Sequence, residues 1–450
     1  MAIMEINAGD TAWVMISAAL VLLMTPGLAL FYGGMVRAKG VLNMMMMSFV
    51  SMGTVGVIWV LYGYSMTFGD SWNGLIGNPL QFAGLTGLMS PEAVVATLPS
   101  LVFVAFQAAF AIIAVALISG AIAERATFLG WTVFTVAWAT LVYFPAAHWV
   151  FAFDGLAAEH GGWIANGIKA IDFAGGTAIH INAGAAALAL ALVLGPRFGF
   201  GTKPMRPHNM TLVMLGAGLL WFGWFGFNAG SALGAGTIAA VAWVNTLAAP
   251  AAAMLAWLVV ERVRDGHATS LGAASGVVAG LVAITPAAGS VDPLGAILIG
   301  VLAGVGCAYA VGLKYTFGYD DSLDVVGVHL VGGVIGTLAI GLVASPDSPA
   351  GVAGLLYGGG VDQLWRQFVG AVAVMVFSFV VSYALGLAIE KTIGFRAAAS
   401  SEHGGIDLAE HSEVGYDLTP VQHSAYRGVR QTLLLDPSDL PAKKKEEVAA

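Results

Sequence analysis

The sequence contains little charge for its length. Only 10% of its 450 residues are Asp, Glu, Lys or Arg, whereas 58% are hydrophobic. A soluble protein of this size has roughly a quarter of its residues charged. This composition excludes a soluble globular protein and indicates an integral membrane protein.

Several chemical features are also missing. The chain has one cysteine, Cys307, which excludes a disulfide framework and a cysteine-based metal site. No Lys or Arg precedes Arg37, so we expect no cleaved signal peptide. No GxxxxGK[ST] phosphate loop occurs, which argues against an ATP-driven pump. We expect no enzymatic activity, no cofactor, no metal and no nucleic-acid partner.

Long apolar runs are abundant. A bilayer core of roughly 30 Å requires about 20 apolar residues per helix. The hydrophobicity predicts eleven spans, at 11–33, 41–67, 99–123, 126–147, 172–194, 209–229, 238–261, 268–286, 291–314, 326–345 and 367–391. The predicted fold class is therefore an all-α integral membrane protein.

Positive charge indicates the orientation of these spans. With the N-terminus outside, the inward connections carry nine Lys or Arg residues and the outward ones carry two, Lys169 and Arg366. Such an excess is typical of cytoplasmic loops. We therefore predict an outside N-terminus and an inside C-terminus.

Glycines recur inside the predicted spans. Gly272, Gly276 and Gly280 follow one another at four-residue intervals, as do Gly300 and Gly304. Small residues at this interval let helix backbones approach closely in lipid. The pattern predicts a tightly packed bundle.

The chain divides into two regions by composition. We predict a membrane domain at 1–395 and a cytoplasmic regulatory tail at 396–450. The tail is too short for an enzymatic domain, and its charged last part is predicted to be disordered. The long outward loop 68–98 has no assigned role.

Two histidines lie inside the spans. His180 follows Asp172 by eight residues, and His329 follows Asp324 by five. The fifth and tenth spans hold equivalent places in two blocks of five helices, the second inverted relative to the first. The pattern predicts two inverted five-helix repeats plus a final helix, with both histidines near the midplane, which is a recurring transporter architecture.

Three interpretations of these histidines are open. Each histidine can be a polar residue that joins two helices, the two can ligate haem, or they can line a transport path. A pair of neutral imidazoles suits a small polar molecule or a proton relay. An apolar pore around them opposes permanent ions, whereas a weak-acid cation that sheds its proton escapes this penalty.

Polar and aromatic residues near the outer ends of two spans complete the pattern. Gln107 and Phe110 lie in the third span, and Phe227 and Ser231 are four residues apart at the end of the sixth. Aromatic faces attract cations, and a serine hydroxyl can accept a hydrogen bond from an N–H. These residues are candidates for a cation site at the mouth of the path.

Long motifs in the chain closely resemble those of the ammonium transporter family (Amt/Mep, with the Rh proteins as cousins), Amt branch. The resemblance runs over roughly residues 10 to 418. Its strongest matches are DFAGGTAIHINAG at 172–184, WFGFNAGSA at 224–232 and DDSLDVVGVHLVGG at 320–333. Further matches are TPGLALFYGGMVR at 25–37, GAIAERATF at 120–128 and EHGGIDLAEHSEVGYDL at 402–418.

The resemblance implies roles for single residues. His180 and His329 match the twin pore histidines, and Phe110 and Phe227 match the stacked gate. Asp172 matches the buried acid of the outer ammonium site, and Ser231 its hydroxyl. Gln107 is a further candidate there, and Trp224 and Asp324 are candidate supporting residues. Phe151 stands where the family often has a recruiting tryptophan, so either Phe151 or the neighbouring Trp149 takes that role.

The resemblance also implies how the protein works. Ammonium binds outside and loses its proton, and ammonia crosses past the histidines, with or without separate transfer of the proton. Methylammonium is a candidate substitute for ammonium. The expected assembly is a homotrimer in the lipid of the cell (plasma or inner) membrane, with a PII-type regulatory protein as a candidate cytoplasmic partner. The alternative is an ammonium sensor with little flux.

Overall fold

The computed structural model describes residues 5–416, which form a bundle of helices. Ten helices in this part of the chain are long and apolar enough to cross a membrane. With one shorter helix, α8, the bundle consists of α1 Ala8–Met35, α2 Ala38–Phe68, α3 Ser100–Ile122, α4 Phe128–Phe151, α5 Gly176–Leu194, α6 Met210–Gly230, α7 Thr237–Arg264, α8 Ser270–Ile284, α9 Pro293–Phe317, α10 Val326–Val343 and α11 Asp362–Thr392.

The eighth predicted span is the shortest helix of the bundle. Its 15 residues, Ser270–Ile284, lie where the hydrophobicity predicts a span at 268–286. The other ten predicted spans each coincide with one of the ten longer helices, within several residues at their ends. The protein is therefore a multi-pass membrane protein.

The loop between α2 and α3 carries the strands of the described chain. Strand β1, Ser71–Trp72, pairs antiparallel with β2, Ile76–Gly77. Strand β3, Val94–Val95, pairs in the same way with β4, Leu98–Pro99. Both hairpins lie within the predicted loop 68–98 or at its edge.

Four helices contain a π-helical turn, in which the hydrogen bonds run to the fifth residue. In α2 and α4 the turns are Trp59–Gly63 and Ala139–Tyr143. Helices α5 and α10 begin with such turns, Gly176–Ile181 and Val326–Leu330. π-turns often occur at functional sites, and the last two contain His180 and His329.

Glycines bring α7 and α9 into close backbone contact, as the four-residue spacing predicts. Gly300 and Gly304 of α9 face the backbones of Ala249 and Ala253 on α7. A Cβ at position 300 would lie 3.0 Å from the Cα of Ala249. The predicted tight packing is confirmed at these positions.

The beginning of the predicted tail packs against the bundle. Two short helices, α12 Ala399–Gly404 and α13 Ile406–His411, follow α11. The carboxylate of Asp407 accepts the backbone N–H groups of Leu42 (3.0 Å) and Asn43 (2.8 Å), which lie near the start of α2. The described chain up to Glu413 belongs to one compact unit. The tail segment predicted to be disordered lies outside the described residues.

An ion network connects the loops near this tail. Glu124 contacts Arg37 at 2.7 Å and Arg197 at 3.3 Å, and Arg197 also contacts Asp320 at 2.8 Å. Burial favours the neutral forms of both carboxyls, but the arginines outweigh this effect and hold the pKa of Glu124 and of Asp320 below the ordinary values. The network therefore joins the loops after α1, α3, α5 and α9.

Candidate functional site

A cavity of about 790 Å³ is lined by α3, α4, the end of α6, the start of α11 and the segment 153–173. Five of the residues predicted for the outer ammonium site lie on its wall, namely Gln107, Phe110, Phe151, Asp172 and Ser231. These residues are distant in sequence, and the fold brings them to one cavity. We call it the outer cavity.

Two phenylalanine rings lie at the inner end of the outer cavity. The rings of Phe110 and Phe227 are 4.4 Å apart between centroids and inclined at 37°. Phe110 lines the outer cavity, whereas Phe227 lines a second, smaller cavity. Both side chains are buried. The pair therefore separates the two cavities, as expected for a gate.

The second cavity contains the two histidines. Its volume is about 10 Å³ and its wall is mostly apolar, with His180, His329, Trp224 and Phe227 among the lining residues. A cavity must reach roughly 10–15 Å³ to hold one water molecule. The space therefore matches a molecule of the size of water or ammonia.

The histidine rings contact each other directly. The Nδ1 atoms of His180 and His329 are 3.2 Å apart, and the ring planes are inclined at 25°. One Nδ1 must donate the hydrogen that the other accepts, which requires at least one neutral ring. Among residues 5–416 the Nε2 of His180 is buried without a hydrogen-bond partner. That nitrogen can accept from or donate to a small molecule in the pore.

Trp224 supports the His180 ring from one side. The two rings stack with centroids 5.5 Å apart and planes at 23°. The indole Nε1 donates a hydrogen bond of 2.8 Å to Oγ1 of Thr285 on the neighbouring segment after α8. This bond fixes the indole plane, which in turn limits how His180 can turn.

Asp172 holds the start of α5 and does not extend into the outer cavity as a free carboxylate. Its Oδ1 accepts the N–H groups of Gly175 and Gly176, at 2.8 and 2.7 Å. Its Oδ2 accepts those of Thr177 and Ala178, at 2.8 and 3.0 Å. First-turn N–H groups otherwise lack partners, so this single carboxylate satisfies four of them.

The inner counterpart of Asp172 is Asp321, and not the predicted Asp324. Asp321 accepts the N–H groups of Val325 (3.0 Å) and Val326 (2.7 Å) at the start of α10. It precedes His329 by eight residues, the same spacing as Asp172 to His180. That spacing was the signal in the sequence that could have identified it.

Asp324 instead binds a lysine. Its Oδ1 accepts a hydrogen bond of 2.7 Å from Nζ of Lys314, at the end of α9. Asp324 has a φ of 64°, in the left-handed region, and Gly175 takes the matching position in the outer half with a φ of 116°. Asp324 therefore forms an ion pair with the end of α9 and does not cap α10.

Phe151, rather than Trp149, lines the outer cavity. The indole of Trp149 packs on Phe377 with centroids 4.6 Å apart, and its Nε1 donates to the carbonyl of Leu75 at 2.7 Å. Trp149 therefore holds the loop after α2. A cation in the outer cavity meets the smaller aromatic face of Phe151.

The structure adds residues that the sequence reading missed. Phe103, Asp154, Lys169 and Arg366 also line the outer cavity. Phe103 lies seven residues before Phe110, two helical turns away on the same face of α3, and this spacing could have identified it. No local pattern marks the other three, because they lie on loops or at the start of α11.

The comparisons with known proteins agree over almost the whole chain. The Ammonium Transporter Family model matches residues 12–416. The ammonium transporter of Mycobacterium tuberculosis is 61% identical over 91% of this chain and 91% of that protein. The ammonium transporter of Bacillus subtilis is 46% identical over 91% and 98%, respectively.

Solved structures agree as well. The crystal structure of Saccharomyces cerevisiae Mep2 is 33% identical, with a TM-score of 0.82 and 93% of each chain covered. A structure described as a sensor Amt protein is 29% identical, with the same TM-score of 0.82 and coverage of 90% of this chain and 98% of that one. The fold and the arrangement of helices are thus shared with these proteins.

Proposed function

This chain belongs to the ammonium transporter family, and we propose that it recruits ammonium in the outer cavity, removes its proton and passes ammonia along the histidine pair. The observation that carries the proposal is the contact between His180 and His329, with 3.2 Å between their Nδ1 atoms, directly behind the phenylalanine pair. The comparisons support ammonium transport in general, whereas recruitment, removal of the proton and passage of ammonia are proposed steps.

Recruitment uses the wall of the outer cavity. Ammonium is a cation with four N–H donors, so it needs aromatic faces and acceptors. Phe110 and Phe151 offer faces, worth roughly 0.5–1 kcal/mol each at exposed sites. The Ser231 hydroxyl donates to the carbonyl of Phe227 at 2.8 Å, which leaves its oxygen lone pairs free to accept from ammonium. Asp172 acts through its negative charge, because its oxygens are engaged by backbone N–H groups.

Passage through the phenylalanine pair requires the loss of charge. The second cavity is too small for a hydrated ion and its wall is mostly apolar. A cation moved there would lose its hydration without replacement, at a cost of many kcal/mol. Ammonium escapes by leaving a proton in the outer half, and neutral ammonia then crosses. The proton either returns outside or follows separately through the histidine pair.

The histidine pair offers a hydrogen-bonded path at this point. Ammonia can donate to one ring nitrogen and accept from another. Since one Nδ1 donates and the other accepts, a proton can also cross the pair when the donating ring takes up a proton at its Nε2 and the accepting ring releases one from its Nε2. Trp224 and the π-turns hold both rings at the required distance. Potassium has no proton to lose, so the same cavity excludes it.

The proposal extends to the whole assembly. We propose eleven spans, with α8 as the eighth, arranged as two inverted five-helix repeats plus α11, and with the N-terminus outside. Asp172 and Asp321 at equal spacing from their histidines support the inverted repeat. We further propose a homotrimer, a membrane domain at 1–395 and a regulatory tail at 396–450 that a PII-type protein can contact.

The test is current from protein in liposomes after an ammonium jump. We expect the wild type to give a current and the double variant His180→Ala/His329→Ala to lose either the current or the exclusion of potassium. His267→Ala is the matched control, because His267 lies exposed on the loop between α7 and α8. Unchanged current and unchanged selectivity in the double variant would contradict the proposal.

An internal pH probe separates the remaining outcomes. Alkalinisation without current would show passage of ammonia alone, with the proton left outside. Ammonium binding without any flux would favour a sensor, in line with the structural likeness to a sensor Amt protein. Purified protein with a Soret absorbance band would instead support haem ligation by the two histidines.

A further inference from the structure

Two cations lie on the wall of the cavity that we propose to recruit a cation. Lys169 and Arg366 both line the outer cavity. They are also the two basic residues that the charge pattern assigns to outward loops. A site for ammonium would gain from negative charge, so the presence of both cations there needs an explanation.

The two cations lie on neighbouring segments. Gln367, next to Arg366, donates from Nε2 to the carbonyl of Ile171 and accepts the Ile171 N–H at its Oε1, both at 2.7 Å. Gly370, one turn further along α11, packs against Ala170. Lys169 is thus held beside the first two turns of α11, where Arg366 is located.

Neither cation has an acidic partner among residues 5–416. No ion pair within 4.0 Å involves Lys169 or Arg366 in this part of the chain. The two carboxylates of the outer cavity are engaged elsewhere: Asp172 binds the start of α5, and Asp154 accepts the N–H of Gly161 at 2.7 Å. The positive charge of the pair is therefore not cancelled by a direct contact.

The backbone at Lys169 is itself unusual. Lys169 ends the π-turn Ile164–Ile168 with a φ of 59°, in the left-handed region. Glycine or asparagine occupies such helix ends at lower cost. The side chain at this turn lies on the wall of the outer cavity.

We propose that Lys169 and Arg366 act as an affinity-setting pair that repels ammonium from the outer cavity and so holds its apparent affinity down. This inference rests on the proposed function. Each of the two cations raises the electrostatic potential of the cavity, against the negative charges of Asp154 and Asp172, and so lowers the local concentration of ammonium and favours neutral ammonia over its cation. Both effects suit a site whose aromatic face is Phe151, a weak cation partner. The two effects also limit the occupancy of the outer cavity by cations that cannot lose a proton.

The test is a series of variants of decreasing positive charge: wild type, Lys169→Gln, Arg366→Gln and the double variant. From Coulomb's law in water at roughly 10 Å, each lost charge should lower the half-saturating ammonium concentration about twofold, and both about fourfold. The maximal current should not change. The differences should shrink at high ionic strength, set with choline chloride, since the Debye length falls from about 10 Å at 0.1 M to about 3 Å at 1 M.

Two controls separate charge from structure. Lys169→Arg/Arg366→Lys keeps both charges and should match the wild type at every salt concentration. Lys391→Gln removes an exposed charge in the last turn of α11, away from the outer cavity, and should leave the half-saturating concentration unchanged. A change in the half-saturating concentration that does not depend on salt, or that the charge-keeping variant shares, would overturn the proposal.

The remaining outcomes are equally decisive. Normal wild-type current with no trend across the series overturns the affinity-setting pair and leaves the transport function standing. If the wild type carries no flux, ammonium binding to the same series is measured by titration calorimetry. A salt-sensitive gain in ammonium affinity across the series then supports the role of Lys169 and Arg366, while the proposed transport function is contradicted. If ammonium does not bind, or binds equally across the series, the proposed role of Lys169 and Arg366 is overturned.

Discussion

Single carboxylates with similar surroundings in the sequence serve different purposes in this protein. Asp172 lies eight residues before His180 and Asp321 eight residues before His329, and both accept N–H groups at a helix start. Asp324 lies closer to its histidine but binds Lys314. Asp321 and Asp324 thus differ in their partners, and Asp324, unlike Asp172 and Asp321, lies at a left-handed turn.

The role of Asp172 predicts a stability effect as well as a functional one. Asp172→Ala leaves four N–H groups near the start of α5 without their acceptor, and hydrogen bonds to a charged group contribute roughly 1.5–3 kcal/mol each. We expect a loss of about 3 kcal/mol or more in the free energy of unfolding, together with loss of ammonium current. Thermal unfolding in detergent measures the first effect.

Asp292→Ala is the matched control for this change. Asp292 also caps a helix, but its carboxylate accepts one backbone N–H, from Gly295 at 2.8 Å, and the Tyr357 hydroxyl. Loss of a single cap costs about 1 kcal/mol. If Asp172→Ala were no less stable than Asp292→Ala, the capping role would be disproved.

At the scale of helices, the bundle is held by close backbone contact. Lipid is as apolar as a leucine side chain, so burial of apolar surface drives helix association weakly in a membrane. The pairs α1 with α6 and α7 with α9 meet through glycines such as Gly216 and Gly300, whose missing side chains make room for the partner backbone. The π-turns of α5 and α10 then place the histidines within this rigid frame.

Gly300→Ala should therefore destabilise the protein. The added Cβ would lie 2.9 Å from the carbonyl carbon of Ala249, inside the normal contact distance, so α7 and α9 must move apart. Overpacking of this kind typically costs about 1–3 kcal/mol. The unfolding temperature of the detergent-solubilised protein, followed by size exclusion, measures the effect.

Gly53→Ala provides the comparison for the same chemical change. Gly53 lies inside α2 and a Cβ there would meet nothing within 4 Å. Alanine favours a helix over glycine by roughly 0.5–1 kcal/mol. We expect this variant to match or exceed the wild type, and an equal loss at both positions would refute the packing argument.

At the scale of the whole molecule, charge is concentrated where loops meet. Glu124, Arg197 and Asp320 join loops that are up to about two hundred residues apart in sequence. The arginines hold the pKa of both carboxyls below the ordinary values, although burial opposes this. The network should therefore stabilise the fold fully above pH 5 and lose this contribution as the pH falls through about 4 and below.

The pH dependence of the unfolding temperature of Glu124→Gln tests whether the network loses its stabilising effect at low pH. At pH 7 the variant should unfold at a lower temperature than the wild type, because buried Arg197 loses one of its partners. The difference should narrow as the pH falls below about 4, since the wild-type carboxyl is then protonated too. Burial raises the pKa of Asp321, which also titrates, but this effect is present in both proteins and cancels in the difference. A difference in unfolding temperature that stays constant down to pH 3 would contradict the stabilising role of the network.

The sequence alone determined the membrane class, ten of the spans and the family, because hydrophobic length and family-specific motifs are local properties. His180, His329, Phe110, Phe227 and Ser231 could all be named from such motifs. The helix of the eighth span has 15 residues and is shorter than the predicted 268–286, because residues 268–269 are not helical and a turn begins at Thr285.

Only the tertiary structure decided which groups act together. Asp321 caps α10 whereas Asp324 binds Lys314, and Phe151 lines the cavity whereas Trp149 holds a loop. Lys169 and Arg366 are almost two hundred residues apart, and no periodicity links them. Long-range packing sets these contacts, and a single sequence encodes long-range packing only through the complete fold.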